Sequence, residues 1–145
     1  MKYSHKLSDA VHILSYLDIY QDDDLSSRAI AASIESNPSV VRSLSSDLRR
    51  AGLIESQQGV AGAELAKDPA DINLYDIFMA INADHNLLHI DPKTNPKCIV
   101  GGNIQEVLTK AYEQVEDQAF EEMRQISLQN IIDQIKARQE EKSIN

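Results

Sequence analysis

The chain has 145 residues, 42% of them apolar and 26% charged, which is the composition of one soluble domain, alone or with an appendage. Aromatics are scarce, so the core must be aliphatic, and the single cysteine, Cys98, excludes an intrachain disulfide or a cluster held by several thiolates of one chain. A formal charge of −9 argues against nucleic acid or an anionic membrane as partner, yet the acidity is uneven. Residues 1–67 carry seven basic and nine acidic groups, whereas residues 68–145 carry seven and fourteen. Between Pro38 and Ile54, Arg42, Arg49 and Arg50 face only Asp47. The opening MKYSHKLSDAV has no long apolar run, and no stretch approaches the roughly 20 apolar residues of a membrane span. The expectation is a cytoplasmic protein without a membrane partner.

Leu7, Ala10, Val11, Leu14 and Leu17 recur at steps of three and four and predict a first helix, broken by Asp22–Asp23–Asp24. Ser26 is a good N-cap for a short second helix, with Leu25 and Ile30 as a hydrophobic staple and Ile30, Ala31 and Ile34 as its stripe. Glu35–Ser36–Asn37–Pro38 reads as a turn that launches a third helix, Asn37 capping it and Pro38 taking its first position. Val41, Leu44, Leu48 and Ala51 face one way on that helix, and Ser39, Val40, Arg42, Ser43, Ser46 and Arg49 the other, with Gly52 ending it. Leu53–Ser56 and Ala63–Ala66 then predict two short strands around the turn Gln57–Gly62. Three helices and a hairpin make a winged helix-turn-helix. Asn73 caps a fourth helix with Asp76 in the capping-box position and Leu74, Ile77, Phe78 and Ile81 apolar.

Periodicity is lost from Asn82 to Gly102, a segment of about 20 residues and long enough to be functional. It returns after Asn103, expected as a cap, with Ile104, Val107, Leu108, Ala111, Val115, Ala119, Met123 and Ile126 along one seam. A helix of about six turns exceeds what this chain can cover alone, so it is expected to pack against its copy in a second chain. A short last helix with Leu128, Ile131, Ile132 and Ile135 follows Ser127 and is expected to cross back over the seam, leaving 136–145 as a frayed polar tail. The fold class is thus mainly α with a small β-hairpin. Its divisions are 1–81 as a DNA-binding winged helix-turn-helix, 82–102 as a connecting or sensor loop, and 103–145 as dimerisation helix, return helix and tail.

These segments resemble the Rrf-two family of winged-helix transcriptional regulators. The match is carried by KLSDAVHIL at 6–14, LSSRAIAASIESNPSVVRSLSSDLRRAGLI at 25–54, GVAGAELAKDPADINLYDI at 59–77 and NPKCIVGGNIQ at 95–105, which is nearly the whole chain except the tail. It looks closest to the YwnA-type branch, which lacks iron–sulfur cysteines. The resemblance implies a homodimer joined by the long helix, binding a roughly palindromic operator with the third helix in the major groove and the wing beside the backbone. Cluster-binding members carry three cysteines in the loop, whereas only Cys98 stands here, so no cofactor and no metal are expected. In place of the family's basic wing the chain has Gln57–Gln58–Gly59, which predicts weak wing–phosphate contacts and salt-sensitive affinity.

Within that frame Arg42 is the expected guanine reader, Val40 meets a thymine methyl, and Ser39 and Ser43 share the same turn and a half. Ser26, Ser27 and Arg28 are placed to anchor phosphate at a helix N-terminus, Arg49 and Arg50 to reach the backbone, and Gln58 to represent the wing. The bland alternative is a solvated polar face. Cys98, beside Lys97, is either a thiolate sensor or a small buried hydrophobe. His85 and His89 with Asp84, Asp91 and Cys98 superficially suit zinc, but four-residue spacing needs a helix and this segment is irregular. No catalytic constellation stands out, so an enzyme is not expected. The expected function is a homodimeric, sequence-specific DNA-binding regulator, a repressor. The competing readings are a thiol-based redox sensor and a winged-helix protein-interaction module without direct DNA binding.

Overall fold

Residues 4–56, 58–59 and 62–144 are described in the structure, a computed structural model. In chain order the elements are α1 (Lys6–Ile19), α2 (Ser27–Ile34), α3 (Pro38–Arg50), β1 (Ile54–Ser56), β2 (Ala63–Leu65), a 3-10 turn (Pro69–Asp71), α4 (Leu74–Ile81), α5 (Ile104–Arg124) and α6 (Leu128–Ile144). The chain is mainly α with one antiparallel hairpin, as the sequence predicts.

α1 is the centre of the molecule. It touches α2, α3, α4, α6 and β2, and a helix contacted on most sides buries more than one stripe. Ala10, Leu14 and Leu17 are buried as expected, Leu7 and Val11 only half-buried, and Ile13, outside the predicted stripe, is completely buried.

The helix-turn-helix follows from its caps. Ser26 Oγ accepts the Ala29 N–H at 3.2 Å, and Leu25 and Ile30 are buried together as the staple. Glu35 closes α2 in the left-handed conformation at φ 61°, and Asn37 Oδ1 accepts the Val40 N–H at 3.1 Å to open α3. Val41, Leu44 and Leu48 are buried. Ala51 is not: it is the exposed C-cap, where the chain turns out of the helix. Gly52 at φ +80° donates to Arg49 O, and Leu53 N–H reaches Leu48 O at 3.0 Å. This Schellman turn drives Leu53 and Ile54 into the core.

Ile54 pairs with Leu65, Glu55 with Glu64 and Ser56 with Ala63. At Gly62, φ is +110° and a Cβ would lie 2.6 Å from the Leu25 carbonyl oxygen, so only glycine lets the hairpin base rest on the start of α2. Gln57, Val60 and Ala61 of the predicted turn lie outside the described residues. The unpredicted 3-10 turn is capped by Asp68, and α4 carries the expected Asn73–Asp76 capping box.

Between Asn82 and Gly102 there is no helix or strand among the described residues. Asn103 stands at the N-cap of α5 without capping it; its Nδ2 instead donates to Ile99 O at 2.8 Å. α5 packs on α4 through Phe120, whose ring lies 5.3 Å from Tyr75 and 5.6 Å from Phe78, and the Arg124 guanidinium sits 4.1 Å over the Tyr75 ring. Of the predicted seam, Ile104, Leu108, Ala119 and Met123 are half-buried, Ala111 is exposed, and Val107 and Val115 are 61% and 56% exposed. Ile126 lies past the end of the helix. At 100° per residue, Val107, Ala111 and Val115 point about 100–180° away from Glu116 and Phe120, which face the rest of the chain.

The last segment departs from expectation. α6 is not short and is not followed by an unstructured tail: it runs 17 residues to Ile144. Residues 136–143 include the good helix formers Lys, Ala, Arg, Gln and Glu, with no glycine or proline to stop them. Nor does it cross the seam. Leu128 and Ile132 are completely buried with α1 and the 3-10 turn. Leu74 N–H donates to Ile126 O at 2.9 Å and Leu128 N–H to Ile72 O at 2.7 Å, tying the α5–α6 junction to the start of α4.

Candidate nucleic-acid interface

The start of α2, the length of α3 and the base of the hairpin enclose a groove of about 860 Å³. Leu17, Leu25 and Ile30 line its apolar part. Ser26, Ser27 and Arg28 contribute from α2 and its cap; Asn37, Pro38, Ser39, Arg42, Ser45 and Arg49 from α3; Gly62 and Ala63 from the hairpin. Three guanidiniums converge there and no carboxylate lines the groove. Among the described residues, Arg28, Arg42 and Arg49 form no ion pair, whereas Arg50 is held 3.2 Å from Asp47 and Arg124 3.4 Å from Glu121. A protein of net charge −9 thus brings three unpaired arginines together on one concave face, while Arg138, also without an ion pair among the described residues, stands apart on α6.

The expected contact residues divide accordingly. Ser26, Ser27, Arg28, Ser39, Arg42 and Arg49 share the groove. Ser43 is exposed on the outer side of α3, and Gln58 is exposed at the hairpin turn. Val40 lies about 160° round α3 from Arg42 and is half-buried against the core. Ser45, one turn beyond Arg42, was not anticipated; its i+3 spacing from Arg42 and i−4 spacing from Arg49 was the available signal.

Two serines at the groove have their hydroxyls engaged. Ser26 donates its backbone N–H to Asp24 Oδ1 at 3.0 Å. That N–H and the Ser26 hydroxyl hold the Asp24 carboxyl below the usual range. Ser39 Oγ donates to Asn37 Oδ1, the oxygen that also caps α3.

Across the molecule, Glu116 of α5 is 8% exposed and accepts the Leu87 N–H at 2.6 Å and the Leu88 N–H at 3.2 Å. It clamps the irregular loop to the long helix. Cys98 is exposed, which removes the reading of a buried hydrophobe. Backbone N–H groups of Gly101 and Val100 hold its thiol below the ordinary value, so the turn itself, rather than Lys97, favours the thiolate. Ile99 and Val100 beside it are also exposed. His89 Nε2 lies 2.8 Å from Asp84 Oδ2, while His85 adopts a positive φ of 58°.

The family model that matches residues 3–134 is Rrf2 (Rrf-two), described as "Iron-dependent Transcriptional regulator". Two proteins of Bacillus subtilis (strain 168) are similar. "Putative HTH-type transcriptional regulator YwnA" is 38% identical over 130 residues, covering 90% of this chain and 96% of that protein. "Putative HTH-type transcriptional regulator YwgB" is 31% identical over 137 residues, covering 93% and 86%. A solved structure, "Crystal structure of a putative DNA binding protein", superposes with a TM-score of 0.71 at 38% identity, covering 88% of this chain and 98% of that one. The fold is that of a winged helix-turn-helix regulator. The chain belongs to the Rrf2 family of transcriptional regulators.

The iron in the family description does not fit these residues. Among the described residues no group of three or more His, Cys, Asp or Glu side chains is placed to hold a metal ion, and the one thiol has no second beside it. Among them, too, no helix is long and apolar enough to cross a membrane.

Proposed function

We propose that the chain is a homodimeric, sequence-specific DNA-binding repressor that reads a pseudo-palindromic operator through the arginine groove. The observation that carries this reading is the convergence of Arg28, Arg42 and Arg49, unpaired and without a carboxylate, on the exposed side of the second helix of a helix-turn-helix. Arg42 takes guanine through O6 and N7, while Arg28 and Arg49 meet phosphates on either side. Ser27 adds a hydroxyl at the α2 N-terminus. Functionally, 1–81 is the reader and 82–102 the connection. The segment 103–145 holds the dimer helix and α6, which returns to the reader's core. The exposed Val107–Ala111–Val115 face of α5 supports pairing with a second copy, which would set two α3 helices about 34 Å apart on successive major grooves.

The loop is the place for a signal. Glu116 couples its backbone to α5, so a chemical event at the exposed Cys98 thiol is carried to the dimer helix and changes the spacing of the readers. An oxidant that altered neither operator affinity nor the distance between spin labels on the two α3 helices would exclude this route.

Salt and one mutation test the DNA reading. Arg28 and Arg49 of both subunits, four phosphate contacts per dimer, give a slope of log K against log salt of about −4. Arg49→Ala flattens it by about two, one phosphate in each subunit. Arg42→Ala instead relaxes base preference at one position per half-site. A protein that ignores duplex DNA at every ionic strength would be a protein-interaction module.

A further inference from the structure

We propose that Ser39 reads an exocyclic amino group of a base, adenine N6 or cytosine N4, and that the cap of its own helix makes it an obligate acceptor. This rests on the DNA-reading function above and adds the chemistry of one position.

The assignment follows from two hydrogen bonds. The Val40 N–H donates to one atom of the Asn37 side-chain amide at 3.1 Å, and an N–H can be received only by the amide oxygen. Ser39 Oγ bonds that same oxygen. An amide oxygen carries no proton, so the serine is the donor and its hydroxyl hydrogen is committed to the cap. What Ser39 presents outward, from an exposed position in the first turn of α3, is lone pairs alone.

A phosphate oxygen is itself an acceptor and cannot use them. In the major groove guanine N7 and O6 and thymine O4 are acceptors too; only adenine N6 and cytosine N4 donate. Arg42 stands one turn further along and is donor-only. The two side chains are therefore complementary: Arg42 selects an acceptor edge and Ser39 the amino group beside it. Ser26 is no substitute, because its hydroxyl is engaged with both the Ala29 N–H and Asp24.

The test is selection of binding sites from a random duplex library by the full-length protein and by Ser39→Ala. The wild type is expected to enrich adenine or cytosine at one position per half-site, and Ser39→Ala to lose that preference by about tenfold while keeping the other positions. Replacing that base by purine or by 2-pyrimidinone, which lack only the amino group, should weaken the wild type by the same factor and leave Ser39→Ala unaffected. Asn37→Ala, which frees the hydroxyl proton, should admit thymine or guanine there. An unchanged preference in Ser39→Ala, or an equal loss in both proteins on removing the amino group, would overturn the assignment and leave the DNA reading intact. A wild type that enriches no sequence would overturn the DNA reading, and this inference with it.

Discussion

At the scale of single residues, Glu116 is the most consequential side chain that the DNA reading does not use directly. Its carboxylate receives two backbone N–H groups that have no ladder to join, so removing it strands both donors in a half-buried place. Glu116→Ala should cost about 1–3 kcal/mol in urea unfolding and speed amide exchange at Leu87 and Leu88, with Glu116→Gln losing less because it keeps an acceptor oxygen. Cys98 responds to pH with a definite sign. Its folded thiol is depressed by two backbone N–H groups, so the thiolate is populated at lower pH in the folded chain than in the unfolded one. Iodoacetamide labelling should therefore reach half its maximal rate at a lower pH in buffer than in denaturing urea. Coincident profiles would mean that the turn does nothing to the thiol.

Among elements, α6 carries weight that its polar composition hides. Its first turns supply Leu128 and Ile132 to the core, whereas Ile135, one turn on, is 42% exposed. Ile132→Ala should destabilise the protein by about 2–5 kcal/mol, and Ile135→Ala should stay within about 0.5 kcal/mol. Equal effects in thermal or urea unfolding would show that α6 is held otherwise than by its first turns. The α3 N-terminus shows how a cap does more than start a helix. Asn37 satisfies one backbone donor and at the same time fixes the polarity of the neighbouring hydroxyl.

For the whole molecule, α5 is the element left incomplete. Its inner face is filled by Glu116 and Phe120 against the loop and α4, while Val107 and Val115 meet water. Because those valines are already exposed, the pair Val107→Glu and Val115→Glu should leave the fold of each subunit intact. In sedimentation the variant should run as a monomer, and its operator affinity should fall by tenfold or more. A stable dimer with both charges in place would move the interface elsewhere. Charge distribution belongs to this scale as well. The acidity of the second half keeps the molecule anionic overall, yet the groove formed by α2, α3 and the hairpin contains arginines alone among its charged lining.

Local chemistry was legible wherever a residue acts on its own neighbours. Ser26, Asn37–Pro38, Gly52 and the Asn73–Asp76 box announced α2, α3 and α4 because each satisfies backbone groups within a few positions of itself. Periodicity likewise announced α1 and α5, and the family motifs announced the winged architecture. What folded packing alone decided is which face of a helix meets what. Ile13 is interior because five elements surround α1. Val40 and Arg42, neighbours on paper, lie on opposite flanks of α3. Glu116 is buried because a distant loop brings it two amides. Caps and stripes depend on separations of a few residues and can be read along the chain; a groove, a clamp or an inner face depends on contacts between segments tens of residues apart, and these exist only once the chain has closed on itself.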